Sequence, residues 1–459
     1  MRFLISICLA ALVSFSVAAA DDISLTVYND NFGLVKQVRE VEFKKGIGEV
    51  RFDDVAALID PTSVHISPKN GGISILEQNY QYDLVNTKAM MQRYLDTEIS
   101  IITKGGEIHR GKLLSFDDRF AILQAESGEI TITNTAEIVD YRFTKLPDGL
   151  VLKPTLVWLT ESDRGQKSDC EVSYLTDGIN WHAEYVAVVD KEDKNLSLSG
   201  WVSIDNKSGA TYENASLQLV AGKVHRVTPR RPVYPPYPAA DYFTMEKRVQ
   251  GAPQFEEEAF FEYHLYTLTR PSTVADKETK QISLFPEATT SAAKVFTLDA
   301  TLAYRWSRPE KPNVRVNLEF TNALENGLGM PLPKGVLRVY KADSKGELQF
   351  VGEDSVSHTP KDEKVRVFLG EAFDITAQRL KANHVDLGFD HGRETYEITL
   401  KNHKNVDIVV TVVEPLPGWR EWRITESNIE YNKVSAYKVE FQVSVKAGGE
   451  NKLTYTFEY

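Results

Sequence analysis

Apolar and polar positions alternate along most of this chain, most plainly from Glu171 to Leu219. Val172 and Tyr174, then Tyr185, Ala187 and Val189, recur at every second residue, the period of a strand with one buried face. Between these runs Thr176-Asp177-Gly178 is turn chemistry, since glycine tolerates positive φ and aspartate bonds its own backbone. Leu196, Leu198, Gly200, Val202 and Ile204 resume the pattern, followed by Ala215, Leu217 and Leu219. Ser, Glu, Lys and Asn hold most positions in between. The pattern predicts a meander of antiparallel strands with one wet face.

Upstream, 23–28, 33–43 and 48–52 predict three strands, the last two joined by a hairpin at Lys44-Lys45-Gly46. Residues 53–58 suit a single helical turn. The chain's one predicted helix is 83–95: Leu84, Ala89, Met90-Met91 and Tyr94-Leu95 share a face, and Asp83 is placed to cap it. Five short strand-like runs follow at 98–103, 108–116, 120–124, 130–133 and 138–143, separated by Gly105-Gly106, Asp117-Asp118 and Ser127-Gly128. With the preceding helix, this unit resembles the Sm-like variant of the small SH3-type barrel, a resemblance carried by GEIHRGKLLSFDDRFAIL (106–123). RNA-binding members of that group carry a base-contacting Asn two residues before the final Leu of this stretch, where this chain has Ala121. The unit is therefore expected to be a structural or protein-contact module.

Leu146-Pro147-Asp148-Gly149 marks a boundary. From Thr228 to Gln254 the composition shifts to Pro229, Pro232, Pro235, Pro236, Pro238 and Pro253, with Arg230-Arg231 and several Tyr. Proline fixes φ and cannot donate to a ladder, which predicts a polyproline-like linker or loop; its functional reading is a docking segment for an aromatic groove. Glu256-Glu257-Glu258 is expected to be a solvated loop, and 260–271 with 279–285 a pair of strands split by 273–277. Further runs come at 296–304, 314–320, 336–340, 348–352, 364–368, 385–389, 394–400, 407–413, 421–424, 436–445 and 452–459, with a short helix or turn at 370–373. Their spacing predicts a β-sandwich with Greek-key connections.

The 459 residues suffice for roughly two to four domains. A formal charge of −12 argues against a nucleic-acid binder, because phosphate contacts need surplus Lys and Arg. Met1-Arg2-Phe3, the apolar run 4–17 and Ala18-Ala19-Ala20 have the three parts of a cleavable signal peptide, with cleavage expected after Ala20 and a periplasmic or secreted product. The apolar run is short for a membrane span, and no later run is long enough. Of the two cysteines, Cys8 lies in this leader, so no intrachain disulfide is expected after cleavage. Cys170 alternates with Val172 and Tyr174 as a buried, inert thiol would.

His-Glu-x-x-His, Gly-x-Ser-x-Gly, P-loop and Cys-x-x-Cys patterns are absent. The nearest approaches to metal-ligand groups are His182 with Glu184, His358 with Asp362 and Glu363, and His384 with Asp386, Asp390 and His391. Residues two apart on a strand share a face, so His182/Glu184 and His384/Asp386 each offer two ligands, and two ligands do not make a site. Trp419 and Trp422 are the most suggestive sugar-stacking pair, set against the use of aromatics as core. Gly327-Leu328-Gly329 before Met330-Pro331-Leu332-Pro333 reads as a constrained loop. No catalytic, cofactor-binding or metal residue is assigned.

Several blocks in order resemble a bacterial family known as domain of unknown function 4139, whose core domain also forms the C-terminal part of the mucoidy inhibitor proteins. They are SYLTDGINWHAEY (173–185), LSLSGWVSIDNKSGATYENASLQLVAG (196–222), FFEYHLYTLTRP (260–271), GLGMPLPKGVLRVYKAD (327–343) and QFVGEDSVSHTPKDEKVRVFLGEAFDI (349–375). VYNDNFGLVKQVREVEF (27–43) and DPTSVHI (60–66) look like that family's N-terminal strands. Mucoidy inhibitors carry a long coiled coil ahead of the shared domain, and this chain has the small barrel-like unit instead. The resemblance implies an exported bacterial envelope protein of β-sandwich type and supplies no catalytic residues.

The expected fold is all-β: two antiparallel β-sandwich domains plus a small SH3/Sm-like barrel, with one short helix before it. The expected organisation is a signal peptide at 1–20, an N-terminal sandwich from 21–96 and 146–292, a barrel inserted at 97–145, and a C-terminal sandwich at 293–459. The expected function is protein–protein interaction or scaffolding in the cell envelope without catalysis, with a protein partner reached through the Pro-rich loop 228–254 and no nucleic acid. The alternative is an envelope carbohydrate-binding or carbohydrate-processing protein.

Overall fold

In the computed structural model the described residues are 22–83, 86–145, 147, 150–226, 254–303, 311–389, 391–418 and 421–459. The leader with Cys8, Leu84, Asp148-Gly149, nearly all of the Pro-rich stretch, Asp390 and Trp419 lie outside them. Strands dominate, and the chain divides into two compact units. The first takes the chain up to Asn180 together with Asp205–Gln218 and Arg270–Glu278; the second is Trp181–Ile204, Leu219–Thr269 and Thr279–Tyr459. Strand Glu278–Asp299 is continuous, without a break at 292/293.

In the first unit, Asp22–Tyr28 and Gln166–Asp177 flank Phe32–Phe43 in antiparallel register, Val35 facing both Leu25 and Tyr174. A second sheet centres on Thr155–Ser162, between Gly46–Asp53 and Ile73–Gln81. Phe32–Phe43 and Gly46–Asp53 thus join different sheets, and Lys44-Lys45-Gly46 makes no hairpin. Residues 53–58 form no helical turn; the local helix is the 3-10 turn Pro61–Ser63, with Asp60 accepting from the Thr62 N–H. The α-helix is shorter than expected, Thr87–Arg93, and is capped by the Asn86 side chain on the Ala89 N–H. Asp83 does not cap it, since its carboxylate is 2.9 Å from Arg93.

The five short strands occur as expected, 98–103, 108–116, 120–124, 130–134 and 138–142, around a separate core of Met91, Tyr94, Ile99, Ile101, Leu113, Ala121 and Leu123. Their sheet order is Ile138–Arg142, Glu98–Thr103, Ile108–Phe116, Phe120–Gln124, Ile130–Asn134, and the sheet is open. The expected barrel does not close: the 3-10 turn Thr135–Glu137 separates the two end strands, which pair with different neighbours.

The expected meander also fails. Gln166–Asp177 pairs with Phe32–Phe43, whereas the next strand, Ile179–Val189, runs parallel to Gly335–Ala342. Gly178, at φ +80, redirects the chain; a Cβ there would meet Leu58 at 2.6 Å and the Lys207 carbonyl at 2.9 Å. Of the four strands in that stretch only Ile179–Val189 and Asn195–Asn206 are neighbours, since Tyr212–Ala221 returns to Asp22–Tyr28. Glu256-Glu257-Glu258 is not a loop but an exposed part of the strand Phe255–Phe260, which pairs with Tyr263–Leu268 rather than leaving the latter to 279–285.

The second unit stacks two sheets. A mixed sheet contains Gly335–Ala342, Ile179–Val189, Asn195–Asn206, Glu278–Asp299, Ile408–Pro415 and Lys438–Val445. Its parallel pairs, Ile179–Val189 with Gly335–Ala342 and Glu278–Asp299 with Ile408–Pro415, correct the expectation of purely antiparallel sandwiches. The facing antiparallel sheet is Ile375–Gly388, His391–Asn402, Glu450–Glu458 and Arg423–Ser427. Leu298, Val410, Val412 and Phe441 from one sheet meet Ile398, Leu400, Leu453 and Tyr455 from the other. Large aromatics are fully interior with their polar tips satisfied: Trp181 Nε1 donates to the Val220 carbonyl at 3.1 Å and Tyr185 Oη to Pro333 at 2.7 Å.

Candidate functional site

The small open sheet carries an inverted strand. In Phe120–Gln124, Ala121 and Leu123 point into the core, and their partners across the ladder are Thr133 and Thr131. The strand Ile130–Asn134 therefore turns its threonines inward and its isoleucines out. Ile130 is 56% exposed and Ile132 63%. Ile132 faces Ile122, and Phe120, also partly exposed, continues the stripe under the Arg119 guanidinium, 5.9 Å from its ring centre. Ile130–Asn134 ends the sheet order, so this apolar stripe lies on an edge strand whose outer side has no ladder partner among the described strands. Local patterns that run against the fold are expected at functional or strained sites. Alternation alone does not tell which face of this strand is inward, since the threonine neighbours of Ile130 and Ile132 serve a pleated interior equally well. Ala121, at the position where RNA-binding Sm proteins contact a base, is fully buried.

The other sequence candidates fall apart. His182 Nε2 lies 3.0 Å from Glu184 Oε1, but the other oxygen of Glu184 meets Arg338, which also reaches Glu353 at 3.0 Å. His384 pairs with Glu394 at 3.3 Å beside Lys381, Asp386 accepts the Gly388 N–H, and His391 lies against the terminal Tyr459 carbonyl. His358 accepts the Lys334 N–H. Among the described residues no group of three His, Cys, Asp or Glu side chains gathers as a metal site. Cys170 is buried, and burial, with Asp169 beside it, pushes its thiol up to about 11, the state of an inert sulfhydryl. Trp422 packs on the second unit's core, with Lys433 over its ring at 4.4 Å. The 327–333 loop is constrained as expected: Gly327 and Gly329 have positive φ, and the Asn322 side chain ties the loop to Pro360.

The Glu184 cluster gives a pH prediction. Burial works to raise the Glu184 carboxyl, but the His182 hydrogen bond and the Arg338 charge outweigh it and hold the group below its ordinary 4.5. A depressed folded value stabilises the fold above the ordinary value and loses that contribution as pH falls through the folded one. Glu184→Gln is expected to cost about 1 kcal/mol at neutral pH, with the difference from wild type vanishing in acid. Urea midpoints at descending pH check this, and parallel curves for the two chains would contradict it.

Among the described residues no helix is long and apolar enough to cross a membrane. A sequence model of the family described as Domain of unknown function (DUF4139) matches residues 170–459. The blocks at 27–43 and 60–66 lie outside that match. No curated protein matches the chain.

Proposed function

This chain belongs to the DUF4139 family, and from that premise we propose that it is an exported cell-envelope protein that works by protein–protein contact or scaffolding, not by catalysis. The observation that carries the reading is the outward stripe of Ile130 and Ile132 on an edge strand. Natural proteins guard such edges with charge, proline or bulges, and an unguarded apolar edge suits strand addition by a partner chain. The Pro-rich stretch 228–254 is a second docking segment under the same proposal. The signal-peptide pattern at 1–20 supports export, with a periplasmic or secreted location.

Affinity capture with crosslinking from an envelope fraction tests the proposal. Wild-type chain is expected to retain a protein partner. Ile132→Lys should recover roughly tenfold less of it, the effect of losing about 1.4 kcal/mol at a contact centre, with melting unchanged because the side chain is already exposed. Equal recovery by both chains would overturn the reading.

A second reading, an envelope carbohydrate binder, rests on Tyr80 and Tyr82, which stack at 5.4 Å and 25° with Tyr82 largely exposed. Recovery of glycan without protein, lost in Tyr82→Ala, would favour it over the first.

A further inference from the structure

Three adjacent strands of the second unit share a polar face. Glu278–Asp299, Arg315–Thr321 and Lys364–Glu371 pair so that Thr297 stands opposite Arg315, Asn317 opposite Phe368 and Glu319 opposite Arg366. Period two puts these side chains and Asp299 on one side, while Leu318, Phe320, Val365 and Val367 fill the core on the other. Asp354, from Leu348–Val356, also lines this side, and with all of them except Glu319 it lines a cavity of about 160 Å³.

The charges in this cavity are unequally answered. Arg366 pairs with Glu319. Asp299 accepts from the Thr301 N–H at 2.9 Å and from its hydroxyl. Asp354 accepts from the N–H groups of Phe368 at 2.9 Å and Ser355 at 2.8 Å. Asn317 donates to Thr297 Oγ1 at 3.2 Å. Arg315 differs: its guanidinium lies over the Phe368 ring, 3.9 Å from the centroid, its Nε is buried without an acceptor, and no described residue gives it an ion pair. A stacked arginine is held ready for a carboxylate, whose two oxygens match its fork.

Asp299 and Asp354 determine what kind of carboxylate. Two arginines and two aspartates line the cavity, which is therefore neutral overall, and a simple anion placed on Arg315 meets repulsion from Asp299 and Asp354. A ligand carrying its own ammonium group does not. Asp299 is the diagonal neighbour of Arg315 across the ladder, about 7–8 Å away at the backbone, a span that one carbon bearing both groups can bridge between the side chains. We propose that this cavity binds a small zwitterion, an α-amino acid, with its carboxylate on Arg315 and its ammonium on Asp299 and Asp354. The site is independent of the Ile130/Ile132 stripe.

Calorimetric titration of the full chain with glycine, acetate and inorganic phosphate tests it. Saturable glycine binding is expected, with acetate and phosphate much weaker. Arg315→Gln should weaken glycine about tenfold or more, as loss of a charge-assisted hydrogen bond does. Asp299→Asn should also weaken glycine while strengthening acetate, because it removes repulsion along with the ammonium partner. Absence of saturable glycine binding, acetate or phosphate binding as tightly as glycine, or a folded Arg315→Gln chain with wild-type affinity would each overturn the proposal. If Arg315→Gln fails to fold, Asp299→Asn decides, and unchanged glycine affinity there overturns it equally.

Discussion

Arg379→Met is expected to destabilise the second unit by about 3–5 kcal/mol, the cost of leaving a buried charge alone. Glu414 has no solvent exposure. Arg379 Nε reaches its two oxygens at 3.0 and 3.1 Å, Nη2 reaches Oε2 at 2.6 Å, and the Tyr455 hydroxyl donates to the same oxygen at 2.6 Å. The guanidinium also lies over the Tyr396 ring, 4.0 Å from its centroid. Arg379 and Tyr455 belong to the four-stranded sheet and Glu414 to the mixed one, so the pair ties the two sheets through an otherwise apolar core. Burial alone would make Arg379 easier to deprotonate, but the Glu414 contacts outweigh it and raise the group, so the guanidinium stays charged. Met in place of Arg keeps much of the volume and removes every donor on that side. The double replacement Arg379→Met/Glu414→Leu is expected near wild-type stability or above it, because neither charge is then desolvated. A urea double-mutant cycle separates the two cases; a single replacement costing less than about 1 kcal/mol would mean that the pair is hydrated in solution.

Asn206→Asp should cost the first unit roughly 3 kcal/mol or more, since several buried groups lose their partner at once. The fully buried Asn206 amide donates to the carbonyls of Ala210, Val274 and Ala275, and its oxygen accepts the N–H and hydroxyl of Ser208. Aspartate keeps the acceptor and replaces the donor with a charge facing carbonyl oxygens. Its carboxyl is therefore expected to titrate above the ordinary range, and protonation restores one donor. The deficit relative to wild type should shrink as pH falls, which urea midpoints near neutrality and in mild acid will show; a deficit that grows in acid would contradict the mechanism. Asn402 repeats the arrangement in the second unit, with its amide on Val406, Val445 and Lys446 and its oxygen on the Lys404 N–H. The same replacement there should behave alike. Both asparagines end a strand and clamp the turn that follows, a role that period-two reading passes over because it tracks side-chain faces and not backbone groups left over at strand ends.

Much of the fold is legible in the sequence. Cys170, Val172 and Tyr174 are buried, as their alternation requires, and so are Tyr185, Ala187 and Val189. The terminal strand runs to Glu458 with Leu453, Tyr455 and Phe457 inside. The five strands of the small sheet fall within a residue of their expected limits. The helix starts later than its sequence predicts because Asp83 and Asn86 are both competent caps, and the Asp83 carboxylate pairs with Arg93 instead. Among the other candidates, the sequence marks Glu184 by its neighbour His182 but not its partner Arg338, 154 residues away. Alternation cannot tell which face of Ile130–Asn134 is inward, and the structure buries Thr133 and half-buries Thr131 while Ile130 and Ile132 face out.

The linear order of residues determined that the chain would be strands and, for most of them, which side chains would be interior, because alternation is a local property of extended backbone. It did not determine pairing. A strand such as Ile179–Val189 presents the same buried face whether it lies antiparallel beside Gln166–Asp177 or parallel to Gly335–Ala342, and only the packing of the completed sheets selects the second. The open edge of the small sheet, the Arg379–Glu414 tie and the Arg315 cavity all follow from that choice, since each joins residues that meet only once the strands have found their neighbours.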